Sequence, residues 1–173
     1  MSLFKVIVVI GNPSDKSRTK VLALALAEAV AEALPPHQQI QWQVLEIAML
    51  APHIVTGGAN RALPPEGAAA VRAIESADLV IAATPVYKGS YTGLFKHLFD
   101  LVGPDALVGR PVLLVANGGS DRHALVVDHQ LRPLFAFFRA LTVPSAVYAA
   151  EADFDGYALR SDLLSADGRE QID

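Results

Sequence analysis

The sequence predicts an α/β protein, a parallel sheet with helices packed on both of its faces. Three observations predict it. Val6 to Ile10, a β-branched run, Leu79 to Ala83 and Val112 to Ala116 are apolar throughout, the pattern of strands buried on both sides. Alanine- and leucine-rich stretches of helical period lie between the strand runs. Glycine, proline, asparagine and serine cluster directly after the strand runs, as they do where a strand turns into a helix.

Taken in order, Val6 to Ile10 is a central strand, and Gly11 to Lys20 is a polar turn that leads into a helix from about Thr19 to Leu34. That helix stops before Pro35 and Pro36. Gln41 to Glu46 alternates Trp42 and Val44 with polar residues and suits an outer strand. Ala48 to Pro64 has no clean period and reads as a surface loop, after which Pro65 or Glu66 to Ala77 is a second helix. The third strand should end at Thr84, because Pro85 has no N–H to donate to a ladder. Leu94, Phe95, Leu98, Leu101 and Val102 mark the next helix, closed by Gly103 and Pro104. After the fourth strand, a long helix is expected from about His123 to Leu141, then a fifth strand from Val143 to Ala149. The tail from Glu151 to Asp173 is acidic and weakly periodic. No repeat or internal boundary is visible, so residues 1–173 read as one domain with a tail over 150–173.

Five strands alternating with helices favour the doubly wound, flavodoxin-like order 2-1-3-4-5, a three-layer sandwich. In that order the loops after strands one, three and four converge on one sheet edge, where open α/β sheets bind ligands.

Composition narrows the function. The chain has 173 residues, no cysteine and a formal net charge of −4, with Lys and Arg scattered. Disulfides and cysteine-based metal or nucleophilic sites are excluded, and there is no basic footprint for nucleic acid. No apolar run approaches a membrane span, and the apolar start lacks a small-residue cleavage site, so a cytoplasmic protein is expected. An apolar fraction of 52% against 18% charged residues suggests surface buried between copies.

The three loops carry the chemistry. The first offers Asn12, Ser14, Ser17, Arg18 and Thr19 just before a helix N-terminus, where backbone N–H groups and the helix dipole attract a phosphate. A plain helix cap needs only one of those side chains. Gly-x-x-x-x-Gly-Lys-Ser/Thr and Gly-x-Gly-x-x-Gly are both absent, which removes the usual nucleoside-triphosphate and dinucleotide fingerprints. The second loop, around Pro85, Val86, Tyr87 and Lys88, and the third, Asn117, Gly118, Gly119 and Ser120, could hold a flat ring and supply backbone donors to it. An ordinary turn would explain the second loop alone; the coincidence of three such loops favours a ligand. Flavin mononucleotide (FMN) fits them together, with its phosphate on the first loop and its ring between the other two.

Gly11-Asn12-Pro13, Ser17-Arg18-Thr19, the run from Thr84 to Lys96 and Gly118-Gly119 resemble the NAD(P)H-dependent FMN reductases. More narrowly, the chain resembles the reductases that supply reduced flavin to alkanesulfonate and methanesulfonate monooxygenases. The likeness runs from about Val6 to Ala149, and Thr84-Pro85-Val86-Tyr87-Lys88 is its most specific part. Asn12 stands where many members carry serine, and the tail shows no counterpart of the family's last helix. The resemblance implies hydride transfer from NADPH or NADH to FMN, with no acid–base residue required. It also implies a monooxygenase that takes the reduced flavin, and a homodimer or homotetramer. Leu94, Phe95, Leu98 and Phe99 with Leu131, Leu134, Phe135 and Phe138 offer apolar surface for that assembly. Relatives often carry a π-bulge at a subunit interface in the helix that here contains His129, so a wide turn is expected around that residue.

A quinone or azo-compound reductase that retains its FMN is the second reading, and a flavodoxin-like electron carrier the third. The spacings of His97, His123 and His129 match no zinc motif, and no metal is expected.

Overall fold

A computed structural model describes residues 3–57 and 62–160, and the strands and helices follow the alternation expected. Strand β1 (Phe4–Ile10) lies at the centre, paired in parallel with β2 (Ile40–Glu46) on one side and β3 (Leu79–Pro85) on the other. Strand β4 (Pro111–Asn117) continues beyond β3, and the order is β2-β1-β3-β4-β5, as the sequence predicts. Because the side chains of a strand alternate between faces, β1 feeds both halves of the core. Val6, Val8 and Ile10 pack under helix α1 (Arg18–Ala33), whereas Ile7 and Val9 face helices α2 (Ile47–Ile54), α3 (Pro65–Glu75) and α4 (Gly93–Asp100).

Four expectations need correction. The stretch read as a loop from Ala48 contains α2, which follows β2 with no intervening turn. Pro52 hides this helix from a sequence reading because a proline there removes one helical hydrogen bond. Burial outweighs that loss. Ile47 and Ile54, seven residues apart on one face, are both fully buried, and the His97 Nε2–H donates to the Ile54 carbonyl at 2.8 Å. Residues 58–61 of the same stretch lie outside the described residues.

The third strand also runs one residue further than expected. Pro85 stays in register with Asn117, and Val86 makes the next bond by donating its N–H to the Asn117 carbonyl at 2.8 Å.

The long helix expected from His123 to Leu141 is three pieces: a 3-10 turn at Asp121–His123, a π-turn at Val127–Leu131 that contains His129, and helix α5 (Arg132–Phe137). The π-turn closes with the Arg132 N–H on the Val127 carbonyl. Its neighbour Pro133 has no N–H to offer, so the wide turn ends where α5 begins.

The fifth strand is likewise split, into β5 (Leu141–Thr142) and β6 (Val147–Ala149), both paired with β4. Pro144 interrupts the ladder between them. Arg132 fills the gap: its guanidinium donates to Thr142 Oγ1 at 2.9 Å and to the Val143 and Pro144 carbonyls at 3.2 Å.

Most of the apolar side chains expected on an oligomer surface belong to the core. Phe95, Leu98, Phe99, Leu131, Phe135 and Phe138 are buried, with the Phe99 and Phe135 rings edge to face at 4.9 Å; Leu94 and Leu134 are half-buried. After β6 a 3-10 turn (Glu151–Asp153) leads into a small hairpin, β7 (Phe154–Asp155) and β8 (Ala158–Leu159). Phe154 and Leu159 pack with the α1 side of the core. The tail beyond Arg160, where the family's last helix would fall, lies outside the described residues.

Helix α3 approaches α2 so closely that a Cβ on Gly67 would overlap the His53 carbonyl. Backbone cannot swing aside as a side chain can. Gly67→Ala is therefore expected to destabilise the fold by about 1–3 kcal/mol, read as a lower midpoint in chemical denaturation.

Candidate functional site

Strands β1, β3 and β4 end side by side at Ile10, Pro85 and Asn117, so the three loops singled out in the sequence share one edge of the sheet. Hydrogen bonds across that edge tie the loops to one another. The Thr19 hydroxyl, buried at the start of α1, donates to Asn117 Oδ1 at 2.6 Å. The Thr92 hydroxyl caps α4 and donates to the Gly11 carbonyl at 2.7 Å. Buried Thr84 accepts the Thr92 N–H at 3.3 Å. Neither Thr84 nor Thr92 is among the binding residues expected from the sequence, although Thr92 three residues before Phe95 has the spacing of a cap.

In the first loop, Asn12 is buried and donates from its amide to the Lys16 carbonyl at 3.2 Å, which folds the loop back on itself. Ser17 is the cap of α1, accepting the Lys20 N–H at 3.0 Å. Among the described residues no acceptor meets the N–H groups of Arg18 and Thr19, although Thr19 is 1% exposed. Two orphan donors at the positive end of a sixteen-residue helix are what a phosphate would satisfy. The donor set therefore fits an anion.

Arg18 is arranged in a way its sequence position does not reveal. Nε donates to the Gly156 carbonyl at 2.7 Å, Nη1 pairs with Glu151 at 2.8 Å, and the guanidinium lies 5.8 and 5.7 Å from the Phe154 and Tyr157 ring centres. The tail hairpin thus holds Arg18 against the start of α1. Nη2 meets no acceptor among the described residues.

The second loop is a two-residue turn. Tyr87 and Ser90 exchange backbone bonds of 2.8 and 3.2 Å, and Lys88 and Gly89 between them have φ of 53° and 84°, the conformation of a type I′ turn. A lysine there carries backbone strain of about 1–2 kcal/mol that a glycine would not. The loop reaches two neighbours. The Tyr87 hydroxyl donates to Asn12 Oδ1 at 3.3 Å, and the Ser90 hydroxyl donates to Gln130 Oε1 at 3.1 Å, linking the turn to the π-turn. Gln130 has no signal in the sequence.

In the third loop, the Gly118 N–H donates to the Ala149 carbonyl at 3.0 Å and the Ser120 carbonyl accepts the Tyr148 hydroxyl at 2.6 Å. Tyr148 too was missed. Burial first, then the Asp121 and Asp153 carboxylates, hold its phenol above the usual tyrosine range. His97 is taken up by the Ile54 carbonyl, and His123 and His129 are exposed.

A doubly wound parallel sheet whose first, second and third loops meet at its carboxyl edge is flavodoxin-like in architecture. Sequence comparison narrows the class. The profile described as NADPH-dependent FMN reductase matches residues 4–155, and the chain belongs to that family of oxidoreductases. It is 50% identical over 165 residues to an FMN reductase (NADPH) of Pseudomonas aeruginosa, covering 95% of this chain and 87% of that one. It is 49% identical over 162 residues to the NADH-dependent FMN reductase SfnF of Pseudomonas fluorescens, covering 94% and 84%. An oxidoreductase from Corynebacterium diphtheriae shares the fold with a TM-score of 0.82 and 34% identity, over 99% of this chain and 90% of that one.

The Thr19–Asn117 bond supplies a stability prediction. Thr19→Val keeps the shape but leaves Asn117 Oδ1 without its donor, at an expected cost of about 1–3 kcal/mol by urea unfolding. Thr19→Ser, which restores the hydroxyl, should recover most of it.

Proposed function

We propose that this FMN reductase takes hydride from NADPH or NADH and treats FMN as an exchanging substrate, handing reduced flavin to a flavin-dependent monooxygenase of sulfonate-sulfur metabolism. The observation that carries the reading is the pair of N–H groups on Arg18 and Thr19 that meet no acceptor among the described residues, at the sheet edge that the second and third loops share. FMN, when bound, supplies the chemistry by accepting hydride from the nicotinamide and carrying it away.

The chain's own residues bind and orient. The N-terminus of α1 and Arg18 Nη2, which meets no acceptor among the described residues, would hold the phosphate, with the tail keeping the guanidinium in place. Pro85, Val86, Tyr87 and Lys88 form one wall of the slot and Asn117, Gly118, Gly119 and Ser120 the other. Because hydride transfer needs proximity rather than a proton relay, no side chain is assigned as acid or base.

The reductase reading is supported by relatives at 49% and 47% identity that are named NADH-dependent FMN reductases SfnF and SfnE. A homo-oligomer in the cytoplasm completes the proposal. Leu125, Phe137 and Leu141 are exposed apolar side chains near the π-turn. A groove of about 550 Å³ beside them is lined by Tyr91, Phe99, His129, Pro133 and Phe137. Among the described residues no helix is long and apolar enough to cross a membrane.

Steady-state NAD(P)H oxidation tests the activity. Turnover should depend on added FMN and saturate with it; FMN-independent oxidation with quinone as acceptor would favour a reductase that retains its flavin. Arg18→Ala should weaken FMN binding about tenfold and leave riboflavin nearly unaffected, since only FMN carries the dianion. Equal losses would move the phosphate elsewhere. Sedimentation at micromolar concentration should give a dimer or tetramer, and Phe137→Asp should shift it toward monomer.

A further inference from the structure

Tyr148 occupies the middle of β6, opposite Ala116 of β4, and is tied to the third loop from outside the loop itself. Its hydroxyl donates to the Ser120 carbonyl at 2.6 Å and lies directly over Gly118, where a Cβ would overlap it. The same Cβ would lie 3.5 Å from Val86 of the second loop. The Tyr148 phenol thus clamps the third loop, close to Val86 of the second.

The chemistry of the clamp depends on the peptide it holds. A trans peptide directs its carbonyl and its N–H to opposite sides, so turning the Ser120 carbonyl toward Tyr148 turns the Asp121 N–H away from it. Among the described residues no acceptor meets the N–H groups of Gly119, Ser120 or Asp121. The N1 and O2 edge of a flavin ring is rich in acceptors. A loop carbonyl facing that edge would repel it, and loop amides facing it would bind it.

We propose that Tyr148 is a positioning residue for the flavin ring: by drawing back the Ser120 carbonyl it leaves the third loop presenting donors rather than an acceptor to the pyrimidine edge. This rests on the FMN reading above. Tyr148 touches no reacting atom in this role and acts only through the loop.

The test uses flavin-fluorescence quenching on the full chain, with FMN and riboflavin titrated separately. Tyr148→Phe should weaken both flavins by the same factor, about 3- to 10-fold, because both carry the ring and only one carries the phosphate. Gly118→Ala should weaken them too, by pushing the hydroxyl off Ser120. In the Tyr148→Phe background, however, Gly118→Ala should add little. With the hydroxyl gone, the new methyl meets the ring carbon at 3.4 Å and Val86 at 3.5 Å, ordinary contacts. Additive losses would mean that Tyr148 and Gly118 act independently, and additivity overturns the proposal. Loss confined to FMN overturns it as well. If wild-type protein binds both flavins and Tyr148→Phe binds them equally well, this inference fails while the FMN reading stands. If wild-type protein quenches neither flavin, the FMN reading fails and takes the inference with it.

Discussion

The carboxyl edge of the sheet is held shut by buried hydroxyls. Thr19 reaches from α1 to Asn117 at the end of β4, and Thr92 reaches from the cap of α4 to the Gly11 carbonyl after β1. Each bond adds only about 1 kcal/mol net, but each buried acceptor would cost more if left alone, so the loops have few alternative arrangements. Helices α1 and α4 lie on opposite faces of the sheet. The two bonds therefore fix both layers to the same edge, and the first, second and third loops keep their spacing because of it.

Around that edge, elements that cover the core also hold the site. The tail hairpin buries Phe154 against α1 and at the same time captures Arg18 through Glu151 and the Gly156 carbonyl. The π-turn contributes Val127 and Leu131 to the core while Gln130, between them, accepts the Ser90 hydroxyl of the second loop. Arg132 bridges the broken fifth strand, whose second half carries Tyr148 to the third loop. Packing and loop geometry thus share the same side chains, and a change in one layer reaches the loops through a single hydrogen bond.

The second loop is the point of strain. Lys88 holds a left-handed backbone that glycine would adopt freely, and the Tyr87–Ser90 bonds and the Asn12 and Gln130 contacts are what keep it there. Strained non-glycine residues of this kind concentrate where a loop must meet a ligand in one shape.

Much of this protein was legible from local pattern. Continuous apolar runs located β1, β3 and β4, because a strand buried on both faces must be apolar at every position. Alternation of strand and helix then favoured the sheet order found, and with it the convergence of three loops whose residues carried the family resemblance. Other features depended on contacts that no local window contains. Helix α2 forms despite Pro52 because Ile47 and Ile54 are buried under α3 and α4, and the fifth strand breaks at Pro144 yet stays paired because Arg132 bridges it. Arg18 finds Glu151 133 positions away, Thr19 finds Asn117 at a separation of 98, and Tyr148 finds Ser120 at 28. Periodicity along a chain reports which side of an element is buried, and so it determined the scaffold. Which side chain meets which polar atom is decided only when distant elements pack, and that is where the tertiary structure alone set the geometry of the site.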